Sequence, residues 1–78
     1  MHFIDEIFNP SIEYWQIAMI EKLHETSLLK NEILHIDTMT YIEANEVILL
    51  LQNSQIDPID AGLNYSITDI KNKLNKYL

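Results

Sequence analysis

Two stretches hold residue types at spacings that could do chemistry. Glu21-Lys22-Leu23-His24 has the Glu-x-x-His spacing that sets a carboxylate and an imidazole on one helical face, the ligand pattern of dinuclear carboxylate bundles. Such a centre needs a second copy of the motif and two further glutamates. The other histidines are His2 and His35, neither in a matching context, so all three read as exposed or capping residues. Asp57, Asp60, Gly62, Asn64, Ser66 and Asp69 supply oxygen donors in the manner of a calcium loop. Aligned at Asp57, the third and fifth ligand positions become Ile59 and Ala61, and the twelfth becomes Thr68 in place of a bidentate Glu. The same residues are ordinary material for turns and caps.

Nucleophilic chemistry has no better footing. The chain has no cysteine, and Ser11, Ser27, Ser54 and Ser66 lack the flanking glycines of a nucleophile elbow. With Gly62 the only glycine, there is no phosphate-cradling loop. A carboxylate pair becomes catalytic only where a pocket shifts one pKa, and a 78-residue chain has little room for a substrate cavity. The chain reads as a non-enzymatic protein with no cofactor and no metal.

The elements that would position these residues are helical. A length of 78 residues suits one domain, residues 1–78, with one core, and 47% apolar residues is too high for a disordered chain. One Gly and two Pro leave few of the tight turns that β-sandwiches need. The stretch from Thr40 to Gln52 reads as the organising element. Thr40 and Glu43 form a Thr-x-x-Glu capping box, and Tyr41, Ala44, Val47, Ile48 and Leu51 follow at helical spacing. Ile42, Leu49 and Leu50 fall outside that stripe, so this helix needs cover on more than one face. The expected fold is all-α, three to four helices around a central helix at about residues 41–53.

Around that helix, Phe3, Ile4, Ile7 and Phe8 would form one apolar stripe of an N-terminal arm. Asn9-Pro10 predicts a cap and a helix start, with a helix from Pro10 to about Glu25 whose face of Ile12, Trp15, Met19 and Leu23, with Gln16 and Ile20 at its margin, meets the central helix. Tyr14 and Ile17 fall on the other side, to be covered by the arm or by a partner. Thr26-Ser27 predicts a short second helical segment through Leu34, and Asp57-Pro58 with Gly62 predicts a structured corner. Ser66 and Asp69 start a terminal amphipathic helix with Ile67, Ile70, Leu74, Tyr77 and Leu78 on one face.

Gln16 with Ile20, Glu21, Lys22 and Leu23, then Thr26-Ser27-Leu28, Met39-Thr40, Glu43-Ala44, Ile48 and Leu51, resembles a small helical module of phage and mobile-element reading frames, over residues 11 to 53. The resemblance implies a helical accessory protein, alone or appended to DNA-handling proteins. It carries over no catalytic residue, and this chain departs from it in being acidic and free of arginine.

Twelve Asp and Glu against five Lys give a net charge of −7, with Lys71, Lys73 and Lys76 gathered at the tail. That field opposes direct nucleic-acid binding, for which only these lysines with Tyr65 and Tyr77 would be available. The N-terminus has acids where a signal peptide has lysines, and no apolar run exceeds Val47–Leu51; neither export nor membrane insertion is expected, and a cytoplasmic location is. The expected function is protein–protein interaction, with another protein or with a second copy, through Tyr14, Ile17, Ile42, Leu49 and Leu50. The alternative is a DNA-mimic inhibitor of a nucleic-acid-binding enzyme, using the carboxylates of Glu13, Glu21, Glu25, Glu32, Glu43 and Glu46.

Overall fold

The computed structural model describes residues 10–78. The expected stripe of Phe3, Ile4, Ile7 and Phe8, the Asn9 cap and His2 lie outside these residues. Among the described residues the chain is all-helical: α1 spans Tyr14–Thr26, α2 Tyr41–Gln52 and α3 Ile67–Leu74, with a 3-10 turn at Asn75–Tyr77.

The capping box read at the start of α2 is formed. Thr40 Oγ1 accepts the N–H of Glu43 at 3.1 Å and Glu43 Oε1 accepts the N–H of Thr40 at 3.0 Å. Ser66 and Asp69 do the same for α3. Such boxes satisfy amide donors that the first helical turn cannot pair internally. From α2 the core takes Ala44, Val47, Ile48 and Leu51, while Ile42 and Leu49, outside that stripe, stay exposed where cover is expected. Ile20, Leu29, Met39, Ile70, Leu74 and Tyr77 complete this core. The corner before α3 is a single turn tied to that helix by Asp57, whose Oδ1 accepts from Ile59 N in the turn at 3.1 Å and from Ile67 N at the start of α3 at 3.2 Å. It ends at Gly62, whose φ of +86° favours a residue without a Cβ.

Helix α1 departs from expectation in its start and in its rotation. Pro10 does not open the helix. Its carbonyl accepts the N–H of Tyr41 at 2.7 Å, Ile12 N donates to Met39 O at 3.1 Å, and Ser11 bridges antiparallel to Thr40. Backbone groups committed to that pairing are unavailable for helical bonds, so the helix begins only at Tyr14, with Glu13 as its cap. The buried face of α1 is Gln16 and Ile20, while Trp15 and Met19 point outward and Leu23 is half-buried. The expected inward stripe of Trp15 and Met19 is therefore turned away from α2. The reason is polar. Gln16 Nε2 donates to Tyr41 O at 3.0 Å and to Asn45 Oδ1 at 2.8 Å, while its Oε1 accepts Glu13 N at 2.9 Å. That network forms only with Gln16 against α2.

The starts of α1 and α2 meet through Gln16, and their ends meet through Gln55, whose Nε2 donates to Leu23 O at 3.0 Å and Leu51 O at 2.9 Å. Leu28 N also donates to Ser54 O at 2.8 Å. The two helices are consequently parallel, and the chain between them must travel back along their length, about 18 Å at 1.5 Å per residue. This return accounts for the third departure. The helical segment expected from Thr26-Ser27 through Leu34 is instead a turn at residues 28–31 followed by non-helical chain at 33–36. Ser27 Oγ accepts Leu29 N at 3.1 Å and donates to His24 O at 2.9 Å, which serves a turn as well as it would a helix cap. Helix α3 runs back along α2, since Tyr77 just beyond its end donates its hydroxyl to Glu43 Oε2 at 3.1 Å near the start of α2. Helix α2 packs against both α1 and α3, and α1 and α3 make no contact with one another.

Truncating Leu51, fully buried in this core, to Ala should cost about 3 kcal/mol, most of the roughly 3–5 kcal/mol that one small core supplies. Gln16→Leu should cost about 2 kcal/mol although it is more apolar, because the Tyr41 carbonyl and Glu13 N–H lose a partner. Urea unfolding followed by far-UV circular dichroism measures both, and a Gln16→Leu protein as stable as wild type would exclude the polar account of the α1 rotation.

Candidate interaction surface

The rotation of α1 brings Trp15 and Met19 to the surface, where they are 47% and 41% exposed, and Ile42 and Leu49 on α2 are 63% and 60% exposed. On α1, Trp15, Ala18, Met19, Lys22, Leu23 and Thr26 line a shallow groove. Trp15 is steadied at its head by the edge of Tyr41, ring centroids 6.1 Å apart at 72°, and by an Nε1–H hydrogen bond to Glu13 Oε2 of 3.2 Å. Two parallel helices wind in the same sense. With Gln16 bonded to Asn45 across the seam, helical periodicity turns Trp15 and Met19 of α1 and Ile42 and Leu49 of α2 toward the same side of the pair. The result is one apolar face built on two helices.

Of the five residues read from the sequence as a partner surface, only Ile42 and Leu49 belong to this face. Tyr14, 91% exposed, and the half-buried Ile17 lie on the other flank of α1, beside Pro10 and Ser11. Leu50 is half-buried at a cleft between α2 and α3 with Asn53, Tyr65, Ile70 and Lys73. Trp15 and Met19 were hidden from sequence reasoning by their own pattern, since apolar residues four apart on a helix read as core. The one signal that pointed otherwise was Gln16, an amide able to reach a backbone carbonyl and lying next to that stripe.

The six glutamates read as an acidic face are spread over three segments. Glu13 accepts from Trp15, Glu32 pairs with Lys71, and Glu43 is held by Thr40 and Tyr77. Glu25 stands exposed beside Ala18 at the edge of the apolar face on α1, Glu21 is exposed on the flank of Tyr14 and Ile17, and Glu46 stands exposed beyond Ile42 and Leu49 on α2. Of the tail lysines, Lys71 has its partner in Glu32, and Lys76 Nζ lies 5.1 Å from the Tyr77 ring centroid. The His24 ring is engaged by the Leu29 carbonyl, to which Nε2–H donates at 2.8 Å, and Glu21 makes no bond to it. Asp57 is spent on the corner before α3.

Away from the apolar face, Glu43 is held between the start of α2 and Tyr77. The Thr40 amide and the Tyr77 hydroxyl hold its pKa below the ordinary glutamate value, while burial opposes them. Burial raises the Tyr77 phenol, which keeps its proton for donation. Comparison with protein-family models, curated proteins and solved structures finds no match to the chain. Among the described residues no helix is long and apolar enough to cross a membrane.

The lowered pKa of Glu43 fixes a pH dependence. A depressed acid contributes stability that is complete above its unfolded value, 4.5, and lost as pH falls through the lower folded value. Tyr77→Phe should therefore destabilise at neutral pH and become progressively less distinct from wild type as Glu43 protonates in acid. Urea midpoints measured for both proteins from neutral to acid pH test this, and a difference independent of pH would show that the hydroxyl acts other than through Glu43.

Proposed function

We propose that the protein is a non-enzymatic protein-interaction module, built as one small helical domain around α2. The observation that carries this reading is the outward apolar face of Trp15, Met19, Ile42 and Leu49. Single exposed apolar residues are ordinary, but a contiguous group containing a tryptophan is the composition of binding surfaces. The stability of the fold gains nothing from keeping these side chains in water. A role as a phage or mobile-element accessory protein in the cytoplasm fits the chain's resemblance and its lack of a long apolar helix among the described residues.

Met19→Asp and Leu49→Asp test the reading, because each adds a charge at an exposed position and should leave the unfolding free energy within about 0.5 kcal/mol of wild type. Immobilised wild-type protein should retain a partner from lysate that both variants fail to retain. Equal retention by all three proteins would remove this face from the function.

A further inference from the structure

Resting on the interaction-module reading, we infer that the partner of the α1/α2 face is a basic amphipathic helix, with an apolar stripe flanked by lysine or arginine. The apolar centre of the face has exposed acids toward both margins, Glu25 beside Ala18 on α1 and Glu46 on α2. Glu13 lies at its upper end. Lys22 is the single cation among these residues, on a chain of net charge −7. An apolar centre with a charged rim favours a partner of opposite rim charge, which steers its approach and fixes its orientation. The groove along α1 from Trp15 to Thr26 has the length of a helix of about three turns, and its side chains recur at the three- and four-residue steps that meet a second helix. Met19 and Leu23 can adapt to an incoming side chain, and Trp15 supplies the large rigid contact that commonly dominates such interfaces. A second copy fits less well, because its own acidic margins would meet these acids. A nucleic acid fits worse, since the face offers phosphates one lysine among carboxylates.

The single tryptophan of the chain stands in this face and reports on it directly. The probes are two synthetic helix-forming peptides with the same leucine stripe, one flanked by lysines and one by glutamates, titrated into the full chain while Trp15 emission is followed. The lysine-flanked peptide should shift the emission to shorter wavelength and bind at least about tenfold more tightly than the glutamate-flanked one. Its affinity should fall as salt is raised to about 1 M, where charge attraction is screened within roughly 3 Å, and be lost in Met19→Asp. Equal binding of the two peptides, no binding of the lysine-flanked one, or binding unchanged in Met19→Asp would overturn the inference. So would a dimer by light scattering whose formation alone shifts Trp15, which gives the face to a second copy. A Trp15 shift produced by Phe8→Asp in the peptide-free chain overturns it in favour of the chain's own N-terminal segment. Should the peptides fail while Met19→Asp still abolishes partner capture, the interaction module stands and only its partner class falls; failure of both ends both.

Discussion

The fold turns on the side chain of Gln16. It is fully buried, and all its bonds run either to the start of its own helix or to α2. A buried amide without partners costs on the order of 1–3 kcal/mol, a large share of what so small a core supplies. Helix α1 therefore has one rotation that satisfies Gln16, and every residue on α1 takes its environment from that choice. Ile20, one turn on, enters the core, while Trp15 and Met19 are left in water. Among the described residues no buried side-chain polar atom lacks a partner, so the arrangement incurs no orphaned group in return.

A second set of polar bonds closes the other end of the helix pair. Gln55 accepts from Thr26 Oγ1 at 2.6 Å and donates to carbonyls at the ends of both α1 and α2, and buried Ser54 receives the chain leaving α1 through Leu28 N. Carbonyls at helix ends have no partner within the helix, and here one glutamine serves two helices. Joined at both ends, α1 and α2 stay parallel, which obliges the return segment to be stretched out. That segment still contributes Leu29 and Met39 to the core, and it ties to the C-terminus through His35 N, which donates to Tyr77 O at 2.7 Å. Tyr77 thus joins the return segment by its carbonyl and the cap of α2 by its hydroxyl.

The exposed apolar face is a by-product of the same geometry. Turning Gln16 inward turns Trp15 and Met19 outward, next to Ile42 and Leu49 that α2 already leaves exposed. Under the proposed function, the acids at its margins would bias what can dock on it, because an apolar patch with a charged border discriminates by charge as well as by shape.

What the residues determine alone are the features that depend on neighbours within one turn. The boxes of Thr40 with Glu43 and of Ser66 with Asp69, the turn between Asp57 and Gly62, and the inward face of α2 are all of this kind. Each is set by local hydrogen bonding or by an unbroken apolar period, and the structure has each of them. Tertiary structure decided the rest. Pro10 could have opened a helix, but its carbonyl is taken by Tyr41, some thirty residues away in sequence. Ser27 could have capped a helix as readily as a turn, and the parallel pair requires the turn. Trp15 and Met19 have the spacing of core residues, and only the partners of Gln16 on α2 place them outside. Local rules cannot weigh a buried amide against an apolar stripe, because the amide's value depends on acceptors that another helix brings to it.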